Sequence, residues 1–444
     1  MMTNYKVLIL VLCVTLFVSI FIISLQNDIE IADCARASSK NNFRVLKLST
    51  IGETNSGEVI VNDINGDGIL DLVAGFQWFE GPHWILHQFA RKEMGTKIDG
   101  GTTNTFDVDY DGDVDIVMER RRVDGGRELI WFENPGGFSE YIWNRHIISN
   151  TVSCVEAIEF VDIDYDAKVE MITVDDCREP GLLIYEIPTD PIQQWQKRIV
   201  CKSKLHGLGI GDLNADGHLD IVSDYNWFEN NLDNWIRHTL PSPAKHFSIK
   251  NLIFRVKVAF LIVTNPGSPW IKKMKWAVKS LIAKNRDRMN MQTLIYDIDG
   301  DGDNDIFVTQ AHTYGVYWLE SSGGASPSFS LHKVLSAPSQ LHGVAYGDID
   351  NDGDIDIFTG KSRYSHGDPG ENENLDVFWL ELSRKANQIK WIKHELSSSL
   401  VMGFGPLVSD IDNDGDVDLV MRGLSFGNPP QFDLTIFRNQ LAAN

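Results

Sequence analysis

The chain is short of the features that mark most other protein classes. Five cysteines among 444 residues are too few for a disulfide-built scaffold, and none stands in a CxxC pair, which leaves out a zinc finger. No Asn-x-Ser/Thr sequon occurs, so glycosylation offers no evidence for export. No phosphate loop, nucleotide motif or Ser-His-Asp order is present, so nothing argues for kinase or hydrolase chemistry. Positive charge is scarce: 40 Lys and Arg stand against 62 Asp and Glu, for a net charge of −22. That balance argues against nucleic acid as a partner.

Acidic residues are plentiful, and their placement is ordered. Asp348, Asp350, Asp352 and Asp356 occupy positions 1, 3, 5 and 9 of a loop that has Gly353 at position 6 and an apolar pair, Ile357-Phe358, behind it. A hard cation such as Ca²⁺ takes six to eight oxygens, and alternating carboxylates on a tight turn supply them. Glycine at position 6 permits the turn. The same loop recurs at Asp63, Asn65, Asp67 and Asp71, at Asp107, Asp109, Asp111 and Asp115, and at Asp212, Asn214, Asp216 and Asp220. It returns at Asp297, Asp299, Asp301 and Asp305, and at Asp410, Asp412, Asp414 and Asp418. A degenerate copy, Asp162, Asp164, Asp166 and Glu170, has Ala167 in place of glycine and is expected to bind calcium weakly or not at all. Seven copies, each leading into an apolar run, mean a repeat architecture rather than seven solvated turns.

Each copy sits in one plan. A short strand precedes the loop and a second follows it. A third carries an aromatic signature, as in Gln77-Trp78-Phe79-Glu80 and Phe378-Trp379-Leu380-Glu381. A fourth alternates apolar and basic residues, as in 143–148 and 391–396. The tryptophans read as packing between sheets rather than as ligand platforms. Four short strands per repeat is the unit of a β-propeller blade. The expected fold is all-β: a seven-bladed propeller of four-stranded blades over residues 43–444, preceded by an N-terminal hydrophobic helix. Only six fourth strands follow the loops. Residues 43–48 have the same alternation and are expected to complete the last blade, closing the ring.

Residues 7–25 are apolar without a charge; Lys6 precedes them, and Asp28, Glu30 and Asp33 follow. Residues 1–25 read as a signal peptide or as a signal-anchor transmembrane helix, with 26–42 as linker. The protein is then secreted, or attached to the membrane through this single pass with its C-terminal domain outside. Loop starts are 44 to 62 residues apart except for one gap of 85. The excess falls at about 250–290, which holds ten Lys or Arg and one acid, Asp287. A basic insertion for anionic lipid or partner contact and a disordered or artefactual insertion both fit. Cys154 and Cys177 flank the third loop, as a disulfide or as buried thiols.

The Asp-x-Asp-x-Asp-Gly-x-x-Asp loops with their apolar pairs resemble the FG-GAP/VCBS repeats, the blade units of integrin-α-like seven-bladed propellers. The resemblance spans about residues 43–440 apart from the insertion, and implies calcium in the loops and an adhesion, lectin-like or lyase role. Leu205-His206-Gly207, Leu341-His342-Gly343 and the run from Gly360 to Gly370 are similar, more distantly, to the propeller domain of aldos-2-ulose dehydratases, which are sugar lyases.

One further pattern comes from the residues themselves. His206 and His342 each stand six residues before an acidic loop, and Glu156 holds the equivalent place in the third repeat. His246 stands at a matching distance after Leu240. In a propeller this places them where inner strands begin around a central channel. There they could hold a transition metal such as zinc, act as acid and base with His206 and His342 catalytic, or serve as hydrogen-bonded structural residues. Lys361, Arg363 and His366 could reach the same face to hold a polyhydroxylated or acidic ligand. The function expected is an extracellular calcium-binding propeller for a glycan or an extracellular protein, with a carbohydrate lyase or dehydratase as the alternative.

Overall fold

A computed structural model describes residues 43–49, 54–55, 58–90, 98–99, 102–122, 124–137, 142–152, 154–177, 180–243, 289, 292–362, 370, 373–385, 388–425 and 431–441. The segments at 1–42 and 244–288, where the N-terminal helix and most of the basic insertion were expected, lie outside the described residues. No helix among the described residues is long and apolar enough to cross a membrane.

Seven four-stranded antiparallel sheets form the blades of a propeller. Blade one holds Val59–Asn62, Asp71–Ala74, Gln77–Glu80 and Ile85–Gln88, in order from the inner strand outward. Blades two to six repeat the plan, for example Gly209–Gly211, Asp220–Ser223, Asn226–Asn230 and Trp235–Thr239 in blade four. In blade seven, Leu407–Ser409, Asp418–Ser425 and Gln431–Arg438 come from the C-terminal end of the chain. Its outer strand is Arg44–Ser49, paired antiparallel so that Leu46 faces Ile436. The ring therefore closes as expected, and the edge of the C-terminal strand Gln431–Arg438 is covered by Arg44–Ser49.

The core is divided. Seven clusters of buried apolar residues each lie between two neighbouring blades. Leu72 and Ala74 of blade one pack with Val420 and Leu434 of blade seven. Val73, between them in sequence, packs with Ile116 and Met118 of blade two. Successive residues of a strand point to opposite faces. A second strand with a blade on each side therefore buries both of its faces, and Asp71–Ala74 is buried throughout. This is why each acidic loop runs into an unbroken apolar pair. Burying each such Val or Leu is worth roughly 1.5–3 kcal/mol.

The signature tryptophans are core residues, as expected, but each has a partner that the aromatic pattern did not reveal. Trp78, Trp131, Trp227, Trp318 and Trp379 are stacked on His87, His146, His238, His332 and His394 of the neighbouring outer strand, at centroid distances of 4.1–4.7 Å. Each histidine Nε2 also meets the glutamate two residues after its tryptophan, at 2.6–2.8 Å. Cys154 and Cys177 form a disulfide.

Candidate functional site at the channel mouth

The inner strands have two ends, and the acidic loops occupy one of them. In all seven loops the position-1 carboxylate accepts the backbone N–H groups of positions 5 and 6, as Asp348 does from Asp352 and Gly353 at 3.0 Å each. The other six loops repeat this pair of bonds. Position 4 is left-handed in every loop, including the non-glycine residues Tyr110 (φ 60°) and Asn351 (φ 59°). The position-9 acid is buried in every loop, and in five of the seven it accepts two backbone N–H groups of its own blade. Asp356 accepts from Ile349 at 3.0 Å and from Leu382 at 2.9 Å. Three blades add an asparagine link to the previous blade: Asn134 to the Ile64 carbonyl, Asn230 to Ile163 and Asn439 to Ile349, each at 2.8–2.9 Å.

Carboxylates from positions 1, 3 and 9 draw together. The ligand atoms of Asp107, Asp109 and Asp115 lie within 4.8 Å of one another, as do those of Asp297, Asp299 and Asp305, and of Asp348, Asp350 and Asp356. Burial raises the position-9 acids, Asp115 to about 7 and Asp356 to about 8. Neighbouring loop aspartates add to both shifts. A compact set of hard oxygen donors that repel one another fits a divalent cation, whose charge would reverse that shift. The degenerate third loop keeps the shape. Asp162, Asp164 and Glu170 form the same cluster, and Ala167 takes φ 68° where the other six loops have glycine.

At the other end of the inner strands the repeats differ from one another. His206 precedes the inner strand of blade four, His342 that of blade six and Phe404 that of blade seven. His312 arrives differently, three residues beyond the second strand of blade five, Asp305–Thr309. The three histidines form one group whose ligand atoms all lie within 4.8 Å. Their ring centroids are 4.8–6.1 Å apart, and the rings are inclined to one another by 63–81°. Phe404 packs edge-on against His342 at 5.3 Å. Glu156 Oε2 lies 3.5 Å from His206 Nε2. His206 and His342 are buried, and His312 is partly exposed.

The spacing rule thus brings His206, His342 and Glu156 together as expected, and the structure adds His312 and Phe404. His312 lies at no repeated distance from its loop. Phe404, six residues before Asp410, was open to the same rule as the histidines. Lys361 is fully buried, and its Nζ donates to the Gly370 carbonyl. His246, Arg363 and His366 lie outside the described residues.

Below this mouth runs a cavity of about 460 Å³ along the inner strands of blades three to seven. Leu208, Val344 and Pro406 give it apolar walls, with Glu159 and Tyr346 among its polar groups. Burial raises Glu159 to about 7.

Residues 297–359 match the model of the FG-GAP-like repeat. The chain carries that repeat within a seven-bladed propeller. No curated protein sequence matches it. Among solved structures, rhamnogalacturonan lyase YesW is similar at 12% identity and a TM-score of 0.46, over 90% of this chain and 76% of that one. The V. cholerae biofilm matrix protein Bap1 is similar at 9% identity and a TM-score of 0.47, over 89% and 90%. The BP39L lectin from Burkholderia pseudomallei is similar at 12% identity and a TM-score of 0.46, over 84% and 94%.

Proposed function

We propose that the protein is an extracellular, calcium-stabilised propeller that binds a carbohydrate in the mouth of its channel. The convergence of His206, His312 and His342 above the cavity carries this reading. A concave site with apolar walls and a few polar groups is the usual setting for a small ligand. Six of the loops, through positions 1, 3, 5 and 9, would hold calcium as a structural ion at the far end of the inner strands, and the loop from Asp162 would bind it weakly or not at all. Residues 1–25 would export the propeller of 43–444, as a cleaved signal or as a membrane anchor followed by the 26–42 linker. The Cys154–Cys177 disulfide suits the oxidising compartment this implies. An extracellular protein is the other partner this face would take, and a transition metal such as zinc is the second cofactor.

A lyase or dehydratase reading draws on one observation. Glu156 Oε2, 3.5 Å from His206 Nε2, puts a carboxylate and an imidazole side by side at the mouth, two groups of the kinds that serve as general acid and base. A screen of the calcium-loaded protein against immobilised glycans tests the main reading. Binding is expected to fall at least tenfold in His342→Ala and to be unchanged in Asp190→Ala, an exposed change in the turn between the third and fourth strands of blade three, at the far end. Glycan binding untouched in His342→Ala would remove the mouth from consideration. Conversion of a bound sugar to an unsaturated product, lost in Glu156→Gln, would favour the lyase.

A further inference from the structure

Resting on that reading of the mouth, we infer that His206, His312 and His342 form a three-histidine site for a divalent transition metal, and that the ion is what grips the oxygen atoms of the ligand. The spacing pattern pointed to a His, His, Glu set. The geometry points instead to three imidazoles, with Glu156 behind one of them.

The donor set is of the right kind. Imidazole nitrogens suit zinc-class ions, whereas calcium takes oxygen, so the two ends of the inner strands would sort two different metals. The distances are of the right size. Four-coordinate zinc holds nitrogens at 2.0–2.1 Å, hence roughly 3.3 Å from one another. Nitrogens within 4.8 Å reach that spacing by small side-chain rotations. The rings stand at 63–81° to each other, so none stacks on its neighbour and each can turn an edge to a common point.

The supporting groups also fit. A carboxylate on one ring nitrogen fixes the orientation of a ligating histidine and raises its basicity. Glu156 Oε2, at 3.5 Å from His206 Nε2, is in that place. Phe404 limits the swing of His342. Three protein ligands leave a fourth position open, as in catalytic rather than structural zinc sites. Leu208 and Val344, two residues beyond His206 and His342, line the cavity that runs on from this end of the inner strands. The ligand class is then a compound with hydroxyl or carbonyl oxygens that can bind the ion, its carbon face lying on apolar walls.

Cobalt(II) is the probe. The full chain is stripped with chelator, reloaded with calcium to fill the acidic loops, and titrated with Co²⁺ alone. One equivalent is expected to bind with the intense visible absorption of a four- or five-coordinate ion. His312→Ala is expected to weaken binding at least tenfold, with Glu156→Gln weaker by 10- to 100-fold but keeping the spectrum. Asp190→Ala, an exposed change between the third and fourth strands of blade three, should change neither. His312 is partly exposed, so its variant should keep the calcium-dependent melting of the parent; His312→Gln serves if it does not. No visible band, or an unchanged band in both His312 variants, overturns the inference. Glycan binding that survives complete removal of the transition metal also overturns it while leaving the mouth as the ligand site. Tight Co²⁺ binding without any glycan or protein ligand supports the metal site and removes the carbohydrate reading.

Discussion

The inner strands begin and end in regions built on opposite principles. At their C-terminal ends one nine-residue loop recurs seven times, with the same amides on the same carboxylates. At their beginnings the residue six places before each loop reads Gly57, Gly101, Glu156, His206, Met291, His342 and Phe404. Repetition serves what every blade needs: a turn that ties three strands together and links to the next blade. A ligand needs something else, a few unlike groups meeting at one point. The end where the repeats diverge is therefore the better candidate for recognition, and the end where they agree is the better candidate for stability.

Removing calcium should break the comparison most sharply. On the proposed reading the loops would bind the ion only when folded, so mass action would add about 4 kcal/mol for a site at a thousandfold excess over Kd. Chelation should lower Tm by on the order of 10 °C or more. His342→Ala should leave that shift intact. Equal melting temperatures in calcium and in chelator would place stability elsewhere.

Within a loop, position 9 should matter more than position 5 even without metal. Asp356→Ala strands two buried amides, those of Ile349 and Leu382, and should cost about 2–5 kcal/mol. Asp352→Ala removes an exposed carboxylate that accepts only the neighbouring Asp354 amide, and should cost under about 1 kcal/mol in chelator. Urea unfolding of the two variants in chelator decides it. Equal losses would mean that the position-9 acid is only a metal ligand.

At the mouth end, a buried acid should make stability depend on pH. Glu58, just before the inner strand of blade one, accepts the Thr103 amide at 2.8 Å. Burial pushes it from 4.5 up to about 8. The folded state thus prefers the protonated acid. Its contribution is complete below pH 4.5 and is lost as pH rises through about 8. Tm in constant calcium should fall less over that range in Glu58→Gln than in the parent. Parallel curves would show that Glu58 ionises as freely folded as unfolded.

Much of this was legible in the sequence, because a repeat writes its plan several times. Loop spacing located seven blades, and the shortage of outer strands led to Arg44–Ser49 as the closing strand. His206 and His342 were found because they keep a fixed distance from a loop. His312 was not, because it follows a second strand at a distance from its loop where no other repeat has a histidine. The Trp–His stacks were written in plain view: each blade with a Trp-x-Glu third strand has a histidine in the fourth. Their pairing depends on cross-strand register, which alternation alone does not supply.

The smallest expected effect concerns the third loop, where repetition falters. Its lost glycine suggested a failed site. The structure instead keeps the loop and puts the burden on one residue: Ala167 sits at φ 68°, with both its amide and that of Asp166 still bonded to Asp162. A left-handed alanine costs about 1–2 kcal/mol, partly offset because glycine would lose more entropy on folding. Ala167→Gly should therefore stabilise the protein by roughly 0.5–1 kcal/mol in chelator. In calcium the gain should be larger, since a relaxed loop also binds the ion more tightly. Glu170 remains in position 9, one carbon longer than aspartate, and still accepts the Ile163 amide at 3.1 Å. If Ala167→Gly gains equally with and without calcium, backbone strain was never what limited metal binding here. The longer reach of Glu170 would then be the cause, and the double change with Glu170→Asp is the variant that should restore the site.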